Sequence, residues 1–245
     1  MIKAIVMTAK AISIALLAIL VTSCQQTISF GNGIKGSGNV VTQNRNITEK
    51  FTGIDAGSGI EVEITQANTP SILVEADDNI IEYITTEIQN GILIISCKES
   101  IKNAKERKVK VTLPDVESIS ASSGSEIKSM NTITSSSLDI KSSSGSEIDI
   151  TIQAENAYCT SSSGSTINLK GKALKLQTQS SSGSDIDAED LLANEINATS
   201  SSGSQTTIHP IVSLEASASS GSSINYVNVP KSVSKKESSG GSISN

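Results

Sequence analysis

Tryptophan is absent from the 245-residue chain, and only three Tyr and two Phe supply aromatic rings. So few rings argue against a large aromatic core or a sugar-stacking cleft. There is one histidine, His209, and there are three cysteines, Cys24, Cys97 and Cys159. That set is too small for a His/Cys zinc centre of the usual kind. Basic blocks are also missing: 19 Lys and Arg stand against 25 Asp and Glu, for a net charge of −6. Such a chain does not neutralise phosphates, which excludes nucleic acid as a partner. The one long apolar run, residues 11 to 21, is shorter than the roughly 20 residues a spanning helix needs.

That run is an address. Lys3 and Lys10 form a positive n-region, and residues 11 to 21 an h-region interrupted only by Ser13. It ends in Val21-Thr22-Ser23-Cys24, which resembles a bacterial lipobox. Residues 1–23 are then a lipoprotein signal peptide, Cys24 is the lipidation site, and 24–35 is a linker. Acyl chains on Cys24 would tie the protein to a membrane without a transmembrane helix, at about 0.8 kcal/mol per buried CH₂. Gln25 follows, so no Asp marks inner-membrane retention. The expected place is the bacterial outer membrane, facing the periplasm or the cell surface. Cys97 and Cys159 remain in a compartment that permits disulfides. They are expected to be unpaired and buried.

From residue 116 onward one phrase recurs: Ser122-Ser123-Gly124-Ser125, Ser143-Ser144-Gly145-Ser146, Ser162-Ser163-Gly164-Ser165 and four further copies. The glycines are 21, 19, 19, 20, 18 and 19 residues apart. A flexible Ser/Gly linker has no reason to keep such a period. Between the glycines the pattern alternates. Leu138, Ile140, Ser142, Ser144, Ser146, Ile148 and Ile150 share one parity, with charged and polar residues on the other. The expected fold is all-β, a parallel β-solenoid with coils of about 19 residues over 116–245. Its inner Ser columns would line a narrow interior, Ser163 among them. Gly145 and its equivalents would sit where the chain needs positive φ. Stretches such as Gln153-Ala154-Glu155-Asn156 and Lys170-Gly171-Lys172 would form irregular turns on the far side.

Residues 36–115 form a less regular all-β half. Strands are expected over residues 60–64, 72–76, 91–95 and 109–113, a short helix or strand over 80–88, and a basic loop over 98–110. Here Gly36-Ser37-Gly38-Asn39-Val40-Val41, Arg45-Asn46-Ile47 and Phe51-Thr52-Gly53-Ile54-Asp55 occur in order. Gly57-Ser58-Gly59-Ile60-Glu61-Val62 and Val74-Glu75-Ala76-Asp77 follow. This succession resembles the head GIN domain family of auto-transporter adhesins, across about residues 36 to 230. The resemblance implies a β-solenoid in lipoproteins or secreted proteins of Bacteroidota-like bacteria. It implies no established biochemical activity.

Candidate chemistry is sparse. His209 precedes Pro210 in what reads as a solvated turn, and the Ser-Gly-Ser phrase lacks the strand–helix setting of a nucleophile elbow. Glu126, Glu147 and Asp185 fall in one outward column, interrupted by Thr166, Gln205 and Ser223. They lack the spacing of a calcium-binding repeat. Asp187, Glu189 and Asp190 read as a solvated acidic turn. No catalytic residue, metal ligand or cofactor is therefore expected. The expected function is an envelope-anchored, adhesin-like or structural protein with a protein or glycan partner. A polysaccharide-active enzyme and a periplasmic scaffold are the alternatives.

Overall fold

The computed structural model describes residues 33–245, so Cys24 and the signal segment lie outside the described residues. Every regular element among those residues is a strand. The first half carries β1 (Val40–Asn44), β2 (Gly53–Ala56), β3 (Glu61–Gln66), β4 (Ser71–Asp77), β5 (Ile84–Gln89), β6 (Ile92–Cys97) and β7 (Arg107–Leu113). The repeats give β8 (Ser118–Ala121), β9 (Glu126–Ser129), β10 (Ile133–Ser142), β11 (Glu147–Ser161), β12 (Thr166–Ser180), β13 (Asp185–Ser200) and β14 (Gln205–Ala218). β15 (Ser223–Tyr226), β16 (Ser232–Glu237) and β17 (Ser242–Ser244) follow.

Neighbouring coils pair in parallel and in register, which makes the fold a β-solenoid of about seven turns with a period near 19 residues. Equivalent side chains therefore stack. One interior column runs Val109, Val62, Ile127, Ile148, Ile167, Ile186, Thr206, Ile224 and Ile243. All of these are buried. β-branched side chains suit such a column because each fits the pleat of its own strand and touches the copy about 4.8 Å above.

The Ser-rich phrase is the corner. Ser144 and Gly145 have φ of 55° and 71°, and the same pair of positive values recurs at Ser58-Gly59, Ser123-Gly124, Ser163-Gly164, Ser182-Gly183, Ser202-Gly203, Ser220-Gly221 and Ser239-Gly240. Two successive left-handed residues closed by Ser146 N–H donating to Ser143 O at 3.3 Å make a type I′ turn. The glycine N–H then donates to the left-handed Ser carbonyl of the next coil: Gly145 to Ser163 O at 3.2 Å, Gly164 to Ser182 O at 3.2 Å. Corners are thus stacked by their own backbone.

This geometry corrects one expectation. Ser142 and Ser146 do point inward and are buried, but Ser144 and Ser163 are exposed at the tip of the turn. A two-residue turn preserves parity in the count while lifting its residues out of the strand. Ser163→Leu would therefore meet left-handed backbone strain in solvent, not overpacking of an interior.

The inner hydroxyls are satisfied at the corner. Ser146 Oγ accepts from Ser143 N–H at 3.1 Å and lies 2.8 Å from both Ser143 O and Ala121 O of the preceding coil, donating to one of them. Further along, Ser180, Ser200, Ser204 and Thr206 join hydroxyl to hydroxyl at 2.8–2.9 Å. Side chains this small let the walls close on each other while these corner hydroxyls stay paired.

The far side of the coil differs from the irregular turns expected. Residues 153–156 and 170–172 stay within the long strands β11 and β12, which bend there. The uneven spacing is absorbed as register shifts between Asn168 and Gly171 in β12, and between Ala188 and Leu192 and again between Ala193 and Glu195 in β13.

The first half joins the same stack. β2 and β3 pair in parallel with β8 and β9 on one side and with β6 and β7 on the other. The coil of residues 53–66 is therefore threaded between residues 92–113 and the first repeat. Antiparallel strands finish this end: β5 on β6, and β4 then β1 on β7. β5 and β6 are joined through Asn90-Gly91, both at positive φ. Residues 80–88 hold a turn followed by β5, with no helix, and the basic segment at 98–110 becomes strand from Arg107 onward.

The family motifs of this half have structural work. Asp77 is fully buried, and its carboxylate accepts N–H bonds from Gly38 at 2.8 Å, Lys105 at 3.2 Å and Glu106 at 3.1 Å. Asp78 binds Ser37 Oγ and Asn39 Nδ2, while Asn79 reaches Ser37 N and Lys35 O. A Cβ on Gly36 would fall 2.1 Å from Asp77 Oδ2, so only glycine fits there.

Candidate binding surface

Because coils are in register, each outward position becomes a column, and the solenoid presents two sheet faces of different chemistry. The face carrying β3, β9 and the first halves of β11 to β14 is charged. Glu61, Glu126, Glu147, Thr166, Asp185, Gln205 and Ser223 lie in one column, as the sequence pattern anticipates. Stacked carboxylates repel, and lysines relieve them. Lys108 lies 2.9 Å from Glu63 and 3.3 Å from Glu61, and Lys128 pairs with Glu126. The hydrogen bond to Glu126, with Glu61 and Glu147 adding and burial opposing, holds the Lys128 ammonium above the ordinary lysine range.

Farther along, the counter-charges thin out. Burial pushes the Asp185 carboxyl up, and the charge of Asp187 adds to it. Asp187 and Asp190 line a shallow pocket of about 260 Å³ with Asp149, Asn168 and Lys170. Lys170 lies 3.8 Å from Asp149. Asp187, Glu189 and Asp190 sit within β13 rather than in a turn, Glu189 N–H donating to Asp187 Oδ1 at 3.0 Å. Among the described residues no group of three His, Cys, Asp or Glu side chains converges as a metal centre. His209 is likewise in a strand, β14, where its Nδ1 is 3.0 Å from Glu189 O and it lies beside Leu192.

The second face carries the latter halves of β10 to β14. Its three central coils present Tyr158 and Thr160, then Gln177 and Gln179, then Asn197 and Thr199, paired in register. A groove of about 610 Å³ runs past Tyr158, Gln177 and Asn197, and a smaller one of about 240 Å³ past Thr160, Gln179 and Thr199. Along the bend between the faces, the exposed side chains of Leu174, Leu192 and Ile211 line a groove of about 730 Å³. Sequence reasoning passed over both features, because it followed inner columns and charged residues and left the outward neutral ones unread.

Cys97 and Cys159 are both free thiols, as expected. Cys159 is buried, and desolvation together with the nearby Asp139 charge pushes its thiol up, away from reactivity. Cys97 is only half-buried, at the end of β6.

Stacked type I′ corners, in-register parallel coils and two long outer faces define a parallel β-solenoid. The chain belongs to the family described as "Putative auto-transporter adhesin, head GIN domain", whose model matches residues 50–230. It is similar to the crystal structure of a putative adhesin from Bacteroides fragilis, with 26% identity and a TM-score of 0.81 over 87% of this chain and all of that one. A putative adhesin from Parabacteroides merdae shares the fold at 20% identity and a TM-score of 0.69, over 86% of this chain and 98% of that one. So does a protein from Parabacteroides distasonis described as a putative lipid binding protein, at 20% identity and a TM-score of 0.65, over 86% and 98%. A comparison with curated proteins finds no match. The family and the Bacteroides fragilis neighbour fit an envelope- or surface-associated protein.

Proposed function

We propose that this protein is a lipid-anchored outer-membrane solenoid that holds an adhesin-like binding face toward the cell exterior, without catalysis. The observation that carries the reading is the ordered outer surface. Side chains repeat in columns across the coils, and in-register parallel pairing holds those columns rigid. Solenoids use such extended faces for recognition. The family match and the lipobox-like Val21-Thr22-Ser23-Cys24 support the envelope setting. In this reading Cys24 carries the acyl chains, which hold the protein at a leaflet.

Protease shaving of intact cells tests the exposure. Loss of the chain from unbroken cells is expected, and protection until the envelope is opened would leave a periplasmic scaffold instead. Metabolic labelling with a fatty-acid probe tests the anchor: Cys24→Ala should abolish the label, and equal labelling would overturn it. Turnover of a polysaccharide that falls in Asp187→Asn or Glu189→Gln would replace the whole reading with an enzyme.

A second reading rests on the bend groove and on the neighbour described as lipid binding. Leu174, Leu192 and Ile211 give that groove an aliphatic wall able to lie against an acyl chain. Fluorescent fatty-acid binding that Leu192→Gln removes would favour it.

A further inference from the structure

A solenoid face on a soluble surface ordinarily carries charge, and the first face here does: at the three central coils it presents Asp149, Lys170 and Asp187. The second face at the same coils carries charge only in the column nearest the bend, at Lys175 and Glu195. Its two middle columns are Tyr158, Gln177 and Asn197, and Thr160, Gln179 and Thr199, six neutral hydrogen-bonding side chains in a contiguous patch. Charges are confined to its margins. Asp139 pairs with Lys141 on the coil before, Lys175 lies 3.5 Å from Glu195 along one side, and Glu215 stands on the coil after.

Within the patch the donors and acceptors are mostly unspent. Asn197 reaches only the margin, with Nδ2 3.4 Å from Glu215 Oε2, and Gln177 and Gln179 make no side-chain hydrogen bond to the described residues. Columns repeat at about 4.8 Å across coils, and alternate residues lie about 6.6 Å apart along a strand.

We infer that this second face, resting on the surface-display reading above, binds an uncharged glycan. The argument is one of matched chemistry. An amide offers donors and an acceptor, and a hydroxyl offers both, which suits ligand hydroxyls that also donate and accept. An ionic polymer would find no counter-charge in these two columns, and Lys175 beside them is paired with Glu195. A protein partner would ordinarily meet an interface centre rich in aromatic and apolar residues, and this patch has one ring. Tyr158, 45% exposed, supplies an amphipathic surface for the face of one sugar. Recognition is therefore by hydrogen bonds across a shallow platform, consistent with a chain too poor in aromatics for a stacking cleft.

Affinity electrophoresis of the full chain in detergent, in gels holding a mannan, a galactan or a β-glucan, tests this, with polygalacturonate as the acidic polymer. At least one neutral polymer should retard the protein. Gln177→Ala with Asn197→Ala should weaken retardation tenfold or more while the β-type circular dichroism is unchanged, and Asp187→Asn on the opposite face should bind as tightly as the parent. Retardation by no neutral polymer, by polygalacturonate alone, or equally in the double variant would overturn the inference. So would a pulled-down protein partner lost in the double variant without any glycan retardation. Shaving separates the two readings. A chain shaved from cells but never retarded sinks the glycan face and keeps surface display. A chain protected in cells yet retarded does the reverse.

Discussion

The carboxylate of Asp77 is completely buried, and what keeps it charged is the backbone of two neighbouring segments. Burial pushes its pKa up, but the N–H donors of Gly38, Lys105 and Glu106 outweigh that and hold it below the ordinary aspartate value. A carboxyl depressed in the folded state contributes stability that is present above its unfolded pKa, about 3.9, and is lost as pH falls through the folded value. Acid unfolding is expected to set in below about pH 4. Asp77→Asn should flatten that acid limb in a pH series of denaturation midpoints, and should cost about 1–3 kcal/mol at neutral pH by leaving donors unpaired. Thr178 shows the opposite case. It is buried in the column between Cys159 and Ala198, and its Oγ1 has no hydrogen-bond partner among the described residues. Thr178→Val keeps the shape and removes the unpaired hydroxyl, so thermal or urea unfolding should show a gain of about 1 kcal/mol.

At the level of elements, the corner was the most legible part of the chain. Seven copies of one phrase at a near-constant period could only be a structural repeat, and the alternation around them placed Ile148, Ile167 and Ile186 in the interior. What failed was the tip, where Ser144 keeps the inward parity and faces solvent, since counting by twos is blind to a two-residue turn. The far side was misread for a related reason. Polar residues and glycine suggested turns, whereas the strand continues through them with a bulge. Gly171 stands where β12 shifts register against an extra residue in β13, with φ of 110°, and a Cβ there would lie 2.1 Å from Ile152 O. Gly171→Ala is therefore expected to destabilise by more than about 2 kcal/mol in chemical denaturation, whereas an exposed corner change such as Gly164→Ala meets open space and only the strain of its φ. The candidate site was the least legible. An outward Gln or Thr carries no local signal, and its meaning comes only from its copies on adjoining coils.

For the whole molecule, the two ends of the stack are finished by different means. One is covered by the antiparallel strands β5, β4 and β1. At the other, the inner positions of β16 hold Val233, Lys235 and Glu237, in the columns of Leu214, Ala216 and Ala218. Lys235 Nζ lies 4.6 Å from the centre of the Tyr226 ring, and Glu237 Oε1 accepts from Ile243 N–H at 2.6 Å. Charges in these columns keep an exposed strand edge from inviting another chain. Lys235→Ile with Glu237→Ala should produce concentration-dependent association in analytical ultracentrifugation, while the parent does not change over the same range. The threading of residues 53–66 between later segments has its own consequence. The order in which coils are synthesised is not the order in which they are shelved. Early residues must wait for one flank until about residue 113 has been delivered by the ribosome, and for the other until about residue 129. A gene could therefore shed or duplicate a later coil and still close up, but deleting the opening one would remove a volume from the middle of the shelf.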